Sequence, residues 1–163
     1  MNAAISFDKE AVLEIIAERR LIPGAMLPML HAIQDKVGYI PSDVIPLIAE
    51  ELNLSRAEVH GVVTYYHFFR QHPAGKHVVQ ICRAEACQSN GGNALADHAQ
   101  KKLGCHFHET TSDGELTLEP VYCLGQCGCA PAMMVDDDIY GRVTPEKFDQ
   151  LLARSVAAKR GEK

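Results

Sequence analysis

Apolar residues along roughly the first 72 positions recur at three- and four-residue steps, the spacing that gives a helix one buried face. In DKEAVLEIIAERR the stripe is Val12, Ile15, Ile16 and Arg19, and Pro23-Gly24 stops it. Met26, Leu30, Ile33 and Val37 predict a second helix over 26–37, with Gly38 as its stop. A third is predicted from about Pro41-Ser42-Asp43 to Leu52, with Ser42 capping the exposed amides and Pro46 in the early turns. The fourth opens on a capping box, Ser55 with Glu58 three residues on, and carries Val59, Val62, Val63 and Tyr66 on its apolar face. The aromatic run Tyr65, Tyr66, Phe68 and Phe69 reads as core packing of this helical module in preference to a partner surface.

Around His72-Pro73-Ala74-Gly75 the period changes, and KHVVQIC has the β-branched character of a short buried strand. A helix over Asn93 to Leu103, closed by Gly104, is followed by an irregular polar stretch to Asp113-Gly114. LTLEPVY and AMMVDDD read as further strands, with IYGRV as a short one. Thr144-Pro145-Glu146 starts a last helix whose inward face is Phe148, Leu151 and Leu152. The pattern predicts a helical module over 1–74, an α/β module over 75–157 and a frayed tail over 158–163. The order strand, helix, strand, strand, helix suits a thioredoxin-like α/β sandwich, although order alone admits other small α/β folds.

Composition narrows the function. A hydrophobic fraction of 47% with 23% charged residues is globular, and a formal charge of -5 argues against a nucleic-acid binder. Asp8, Lys9 and Glu10 stand where a signal peptide needs an apolar core, and no run reaches membrane-spanning length, so a soluble cytoplasmic protein is expected. In that reducing compartment, clustered cysteines bind metal or carry chemistry more often than they form disulfides.

Four of the six cysteines fall into two pairs, Cys82-RAEA-Cys87 and Cys123-LGQ-Cys127, with 35 residues between them. Each pair follows a predicted strand, so two loops leaving one end of a sheet can bring four thiolates together. Soft sulfur donors suit zinc and iron–sulfur clusters. Structural zinc favours tight knuckles, usually CxxC, whereas the wider spacing here lets each loop grip one iron of a 2Fe-2S rhomb; spacing favours iron–sulfur and leaves zinc open. Glycines near the pairs, Gly91, Gly92, Gly125 and Gly128, allow backbone amides to approach sulfur, and the helix opening near Asn93 points its positive end at such a site.

The runs LPMLHAIQDKVGYIP, HGVVTYYHFF, PAGKHVVQICRAEACQ and EPVYCLGQCGCAPAMMVDDDIYGRVTPE resemble the thioredoxin-like 2Fe-2S subunits of NADH dehydrogenases over about Leu21 to Leu152. CRAEACQ and YCLG incline towards the gamma subunit branch of NAD-dependent formate dehydrogenase. The resemblance implies one 2Fe-2S cluster on Cys82, Cys87, Cys123 and Cys127. It also implies docking on a flavoprotein subunit that holds FMN and the NADH site, with a molybdenum or tungsten subunit oxidising formate elsewhere. This chain then binds no formate, has no catalytic residue and inserts in no membrane. Respiratory NADH:quinone oxidoreductase and NAD-reducing hydrogenase are the alternative parents.

Cys129, two residues past Cys127, reads as a small buried residue. Cys105, His106, His108 and Glu109 read as polar surface in preference to a second metal site. Two other classes remain: a thiol–disulfide enzyme, for which the chain lacks any CxxC, and a zinc-stabilised adaptor with the same fold and no redox role.

Overall fold

The computed structural model describes residues 7–160, with side chains through Arg154. The chain divides into two compact units, one closing at Pro73 and the other opening at Ala74.

The first unit is a bundle of four helices: α1 (Lys9–Arg19), α2 (Met26–Val37), α3 (Val44–Glu51) and α4 (Arg56–Tyr65). Their apolar stripes meet in one core that includes Val12, Ile16, Met29, Ile33, Ile48 and Val63. The predicted punctuation of α2 and α4 is present. Gly38 takes the left-handed conformation that a non-glycine residue resists (φ 90°), and its N–H closes α2 on the Gln34 carbonyl at 2.7 Å. Ser55 Oγ accepts the Glu58 N–H at 3.2 Å while Glu58 Oε2 accepts the Ser55 N–H at 2.8 Å, completing the capping box.

Two expectations fail here. Ser42 does not cap α3, whose first amides are taken by the Pro41 and Ser42 carbonyls, and the helix begins only at Val44. Nor is the aromatic run core: α4 ends at Tyr65 and Tyr66 turns extended, so the helical stripe stops short of it. Tyr65 (75% exposed), Tyr66 (41%) and Phe68 (50%) face outward, and only Phe69 is buried. The buried Gln34 holds this segment in place, its Nε2 donating to the Phe68 carbonyl at 2.9 Å and its Oε1 accepting the Arg70 N–H at 2.7 Å.

The second unit is a five-stranded mixed sheet with helices. Its elements are β1 (His77–Cys82), α5 (Glu85–Cys87), α6 (Asn93–Leu103), β2 (Glu109–Thr110), β3 (Leu116–Val121), β4 (Met133–Val135), β5 (Asp138–Tyr140) and α7 (Pro145–Arg160). The strand order is β2-β3-β1-β4-β5, so β1 is central. Val79 and Ile81 of β1 join Leu118, Met133, Leu95 and Phe148 in one buried cluster that sheet, α6 and α7 share.

Three details differ from the sequence reading. The polar stretch contains the two-residue β2, too short to leave a pattern. The run AMMVDDD is a strand only over Met133–Val135, because Asp136 turns with φ 53° and the return strand starts at Asp138. The last helix continues to Arg160, through the first part of the expected tail; residues 161–163 lie outside the described residues. Among the described residues no helix is long and apolar enough to cross a membrane.

Candidate metal centre

Sheet topology decides where the cysteines fall. β1 and β3 run parallel with Cys82 beside Val121, so the chain leaves both strands at the same end of the sheet. β4 is antiparallel to β1, which brings its entry, Ala132-Met133, to that end as well. Three chain segments therefore meet there: the Cys82–Cys87 loop after β1, the Cys123–Cys127 loop after β3, and the approach to β4.

The inner pair is buried. Cys82 and Cys87 pack against Ala132 in a small apolar cluster with Ala84, Val121, Leu124 and Ala130 around it. Cys87 closes the short helix α5, and the following segment Gln88–Gly92 is a wide helical turn that runs into α6. Gly91 makes that join at φ 92°. The Asn93 end of α6 is therefore not a free helix start, contrary to the sequence reading. The outer pair is exposed, with Cys123 Sγ 3.9 Å from Cys127 Sγ. Cys123 itself has φ 113°, a conformation that costs an ordinary residue roughly 1–3 kcal/mol and clusters at functional sites.

Backbone amides reach the sulfurs from several directions. Gly125 N–H lies 3.3 Å from Cys123 Sγ. Burial pushes the Cys82 thiol up, but hydrogen bonds from the Ala84, Leu124 and Cys123 amides and from Cys87 outweigh it, and the net shift is downward. Two of those amides belong to the other loop. The Cys87 thiol is raised, by burial first and then by the neighbouring Cys82, against the Ala132 amide. Cys127 is raised by its hydrogen bond to Cys123 and by charge repulsion from Cys123 and Cys82. The four thiols are thus close enough to feel one another's charge, the condition under which a cationic metal centre gains most from them.

The donor set suits two irons better than one ion. Among the described residues, no three His, Cys, Asp or Glu side chains converge tightly enough to hold a single metal ion. The thiols stand instead as two pairs, each from one loop, and a sulfide-bridged pair of irons takes two thiolates apiece. Cys129 is half-buried and bonded through its backbone, its carbonyl accepting the Arg142 N–H at 2.6 Å. Cys105 is not part of a polar surface as read from sequence: it is buried in the sheet core, with Glu109 accepting the His106 N–H and His108 paired with Glu119. The amides of Ala132, Leu124 and Ala84 had no sequence signal, because backbone donors leave no mark on residue type.

Residues 12–155 match the family described as thioredoxin-like 2Fe-2S ferredoxin. The chain belongs to that family. One 2Fe-2S cluster is accordingly its cofactor. Thioredoxin-like 2Fe-2S ferredoxins similar to it include a subunit of the NADH-quinone oxidoreductase of Pseudomonas aeruginosa, 38% identical over 133 residues, covering 82% of this chain and 80% of that one. The NADP-reducing hydrogenase subunit HndA of Solidesulfovibrio fructosivorans is 32% identical over 130 residues, covering 80% and 76%. The crystal structure of an NAD+-reducing NiFe-hydrogenase shares the fold with a TM-score of 0.67 at 21% identity, covering 86% of this chain and 24% of that one.

Proposed function

We propose that Cys82, Cys87, Cys123 and Cys127 ligate the cluster, one pair to each iron, and that the chain is the electron-transfer subunit of an NAD-dependent oxidoreductase. The observation that carries this reading is the meeting of two thiol pairs, one buried and one exposed, at the end of the sheet where β1 and β3 stop. When bound, the cluster takes up and gives back one electron at a time. The protein's part is to hold four thiolates in register, to donate amides to them, and to keep water from the inner pair. The inner pair's neighbours Ala84, Val121, Leu124, Ala130 and Ala132 offer no side chain that could act as a general acid or base, which fits a relay in place of a substrate-converting centre.

The partner in this reading is a flavoprotein subunit with FMN and an NADH site, because FMN converts the two-electron hydride of NADH into single electrons that a 2Fe-2S centre can accept. For the parent enzyme we favour a cytoplasmic formate dehydrogenase with a molybdenum or tungsten subunit, on the residues CRAEACQ and YCLG. The second reading is the equivalent role in NADH-quinone oxidoreductase, which 38% identity to a subunit of that enzyme favours.

Metal and sulfide analysis of the purified chain, with its visible and EPR spectra, tests the site. Two irons, two sulfides and a reducible chromophore are expected. One zinc without colour would replace this reading by the adaptor. Co-purification of the neighbouring subunits, assayed with formate and with quinone, separates the two parents.

A further inference from the structure

The helical unit has an open apolar face. Two adjoining hollows of about 400 and 540 Å³ run along α4, and Met26, Leu54, Val62 and Tyr66 line both. Ile22 stands at one end and Tyr65 at the other.

The residue on the groove's wall with the least reason to be there is Gly61. It sits inside α4, where glycine costs about 1 kcal/mol relative to alanine. It is not in a left-handed conformation, and a Cβ built on it meets nothing within 4 Å. Nothing within the helical unit therefore requires its missing side chain. What the bare backbone permits is close approach from outside.

The aromatic end of the groove is rigid before anything binds. Tyr65 and Tyr66 meet edge to face at 5.1 Å, Tyr66 packs on Phe69 at 6.1 Å, and the segment that follows hangs on the two hydrogen bonds of Gln34. Fixed, exposed aromatic anchors are what an interface core uses, since little entropy is lost when they are covered.

Charge indicates what covers them. Arg20, on the groove wall, is neutralised by Glu51 at 2.6 Å, and Glu58, on the wall beside Gly61, carries the remaining charge. The segment up to Pro73 has nine acidic and six basic residues, so a second copy of this chain would bring like charge to the rim, whereas a basic flank complements it.

We propose that this groove receives an amphipathic helix of the flavoprotein subunit, laid apolar face down across Gly61 and Tyr65 with a Lys or Arg beside Glu58. The proposal rests on the electron-transfer reading above for the identity of the partner.

The test uses the full, cluster-loaded chain and the purified flavoprotein subunit, with affinity measured by calorimetric titration. Gly61→Leu should keep or raise the thermal midpoint of the free chain, because leucine is the better helix former, yet weaken binding at least tenfold. Tyr65→Asp, at a position too exposed to unfold the bundle, should weaken it comparably. Ile139→Asp, an exposed apolar position in the other unit, should leave affinity within twofold. Wild-type affinity in both Gly61→Leu and Tyr65→Asp overturns the groove assignment alone, as does a chain that dimerises by itself and becomes monomeric on Gly61→Leu. A loaded wild-type chain that does not bind the flavoprotein at all overturns the flavoprotein reading and the groove with it.

Discussion

The Ala132 carbonyl accepts the Cys82 N–H at 3.0 Å, which ties the end of β1 to the residue that precedes β4. The Ala132 amide in turn serves the Cys87 thiol, so one small residue fixes both inner cysteines. A binding site assembled this way depends on sheet register as much as on the cysteines themselves.

Replacing Cys82 or Cys123 by alanine leaves one of the two loops with a single thiolate, and iron content should fall below half of the wild-type value. Cys105→Ala, buried in the sheet core away from the pairs, should keep full iron at some expense in stability. Iron per chain and absorbance in the visible decide both; full iron in Cys82→Ala would refute the ligand assignment.

An all-thiolate 2Fe-2S centre is anionic and gains a further negative charge on reduction, so a low potential is expected, about -400 mV as in plant-type ferredoxins. An EPR-monitored redox titration measures it. A value above about -150 mV, where Rieske centres begin, would mean that the ligand set is not four thiolates.

Gln34→Leu leaves the Phe68 carbonyl and the Arg70 N–H without their partner, and each such loss costs roughly 1–3 kcal/mol when the group stays buried. Three of the five tyrosines, Tyr39, Tyr65 and Tyr66, lie in this unit, so urea unfolding followed by tyrosine fluorescence reports on it. An unchanged midpoint would show that water takes over both bonds.

Asp149 joins α7 to α6. The His98 ring nitrogen at 3.0 Å holds its carboxyl below the ordinary 3.8, with help from the Lys102 charge and against some burial. A depressed carboxyl stabilises the fold above its unfolded value, and the contribution disappears as the pH falls through the folded value. Because the pair is more than a third exposed at Asp149, Asp149→Asn should cost under about 1 kcal/mol at neutral pH, shrinking to nothing in acid. Urea midpoints of both proteins across an acid series give the comparison; a gap that widens in acid would reverse the sign.

What could be read from residue order is what local chemistry enforces. The stop at Gly38, the capping box of Ser55 and Glu58, the span of α6 and the entry of α7 at Thr144-Pro145 are each written in two or three neighbouring residues. The pairing of Cys82-Cys87 with Cys123-Cys127 was legible because cysteine spacing and strand positions agree. The direction of the aromatic run was not: Tyr65 and Phe69 have similar side chains, and which one turns inward depends on where α4 stops and on a hydrogen bond from Gln34, more than thirty residues earlier. The turn at Asp136 was likewise hidden, since three consecutive aspartates give no periodicity to break.

The difference in burial between the two thiol pairs sets an order of events for damage. Peroxide or a chelator arriving from solvent meets Cys123 and Cys127 long before it meets the pair behind Ala132. Decay of the centre should therefore proceed from the outside inward, and while the inner loop is still seated the protein retains half of the scaffold on which repair can begin.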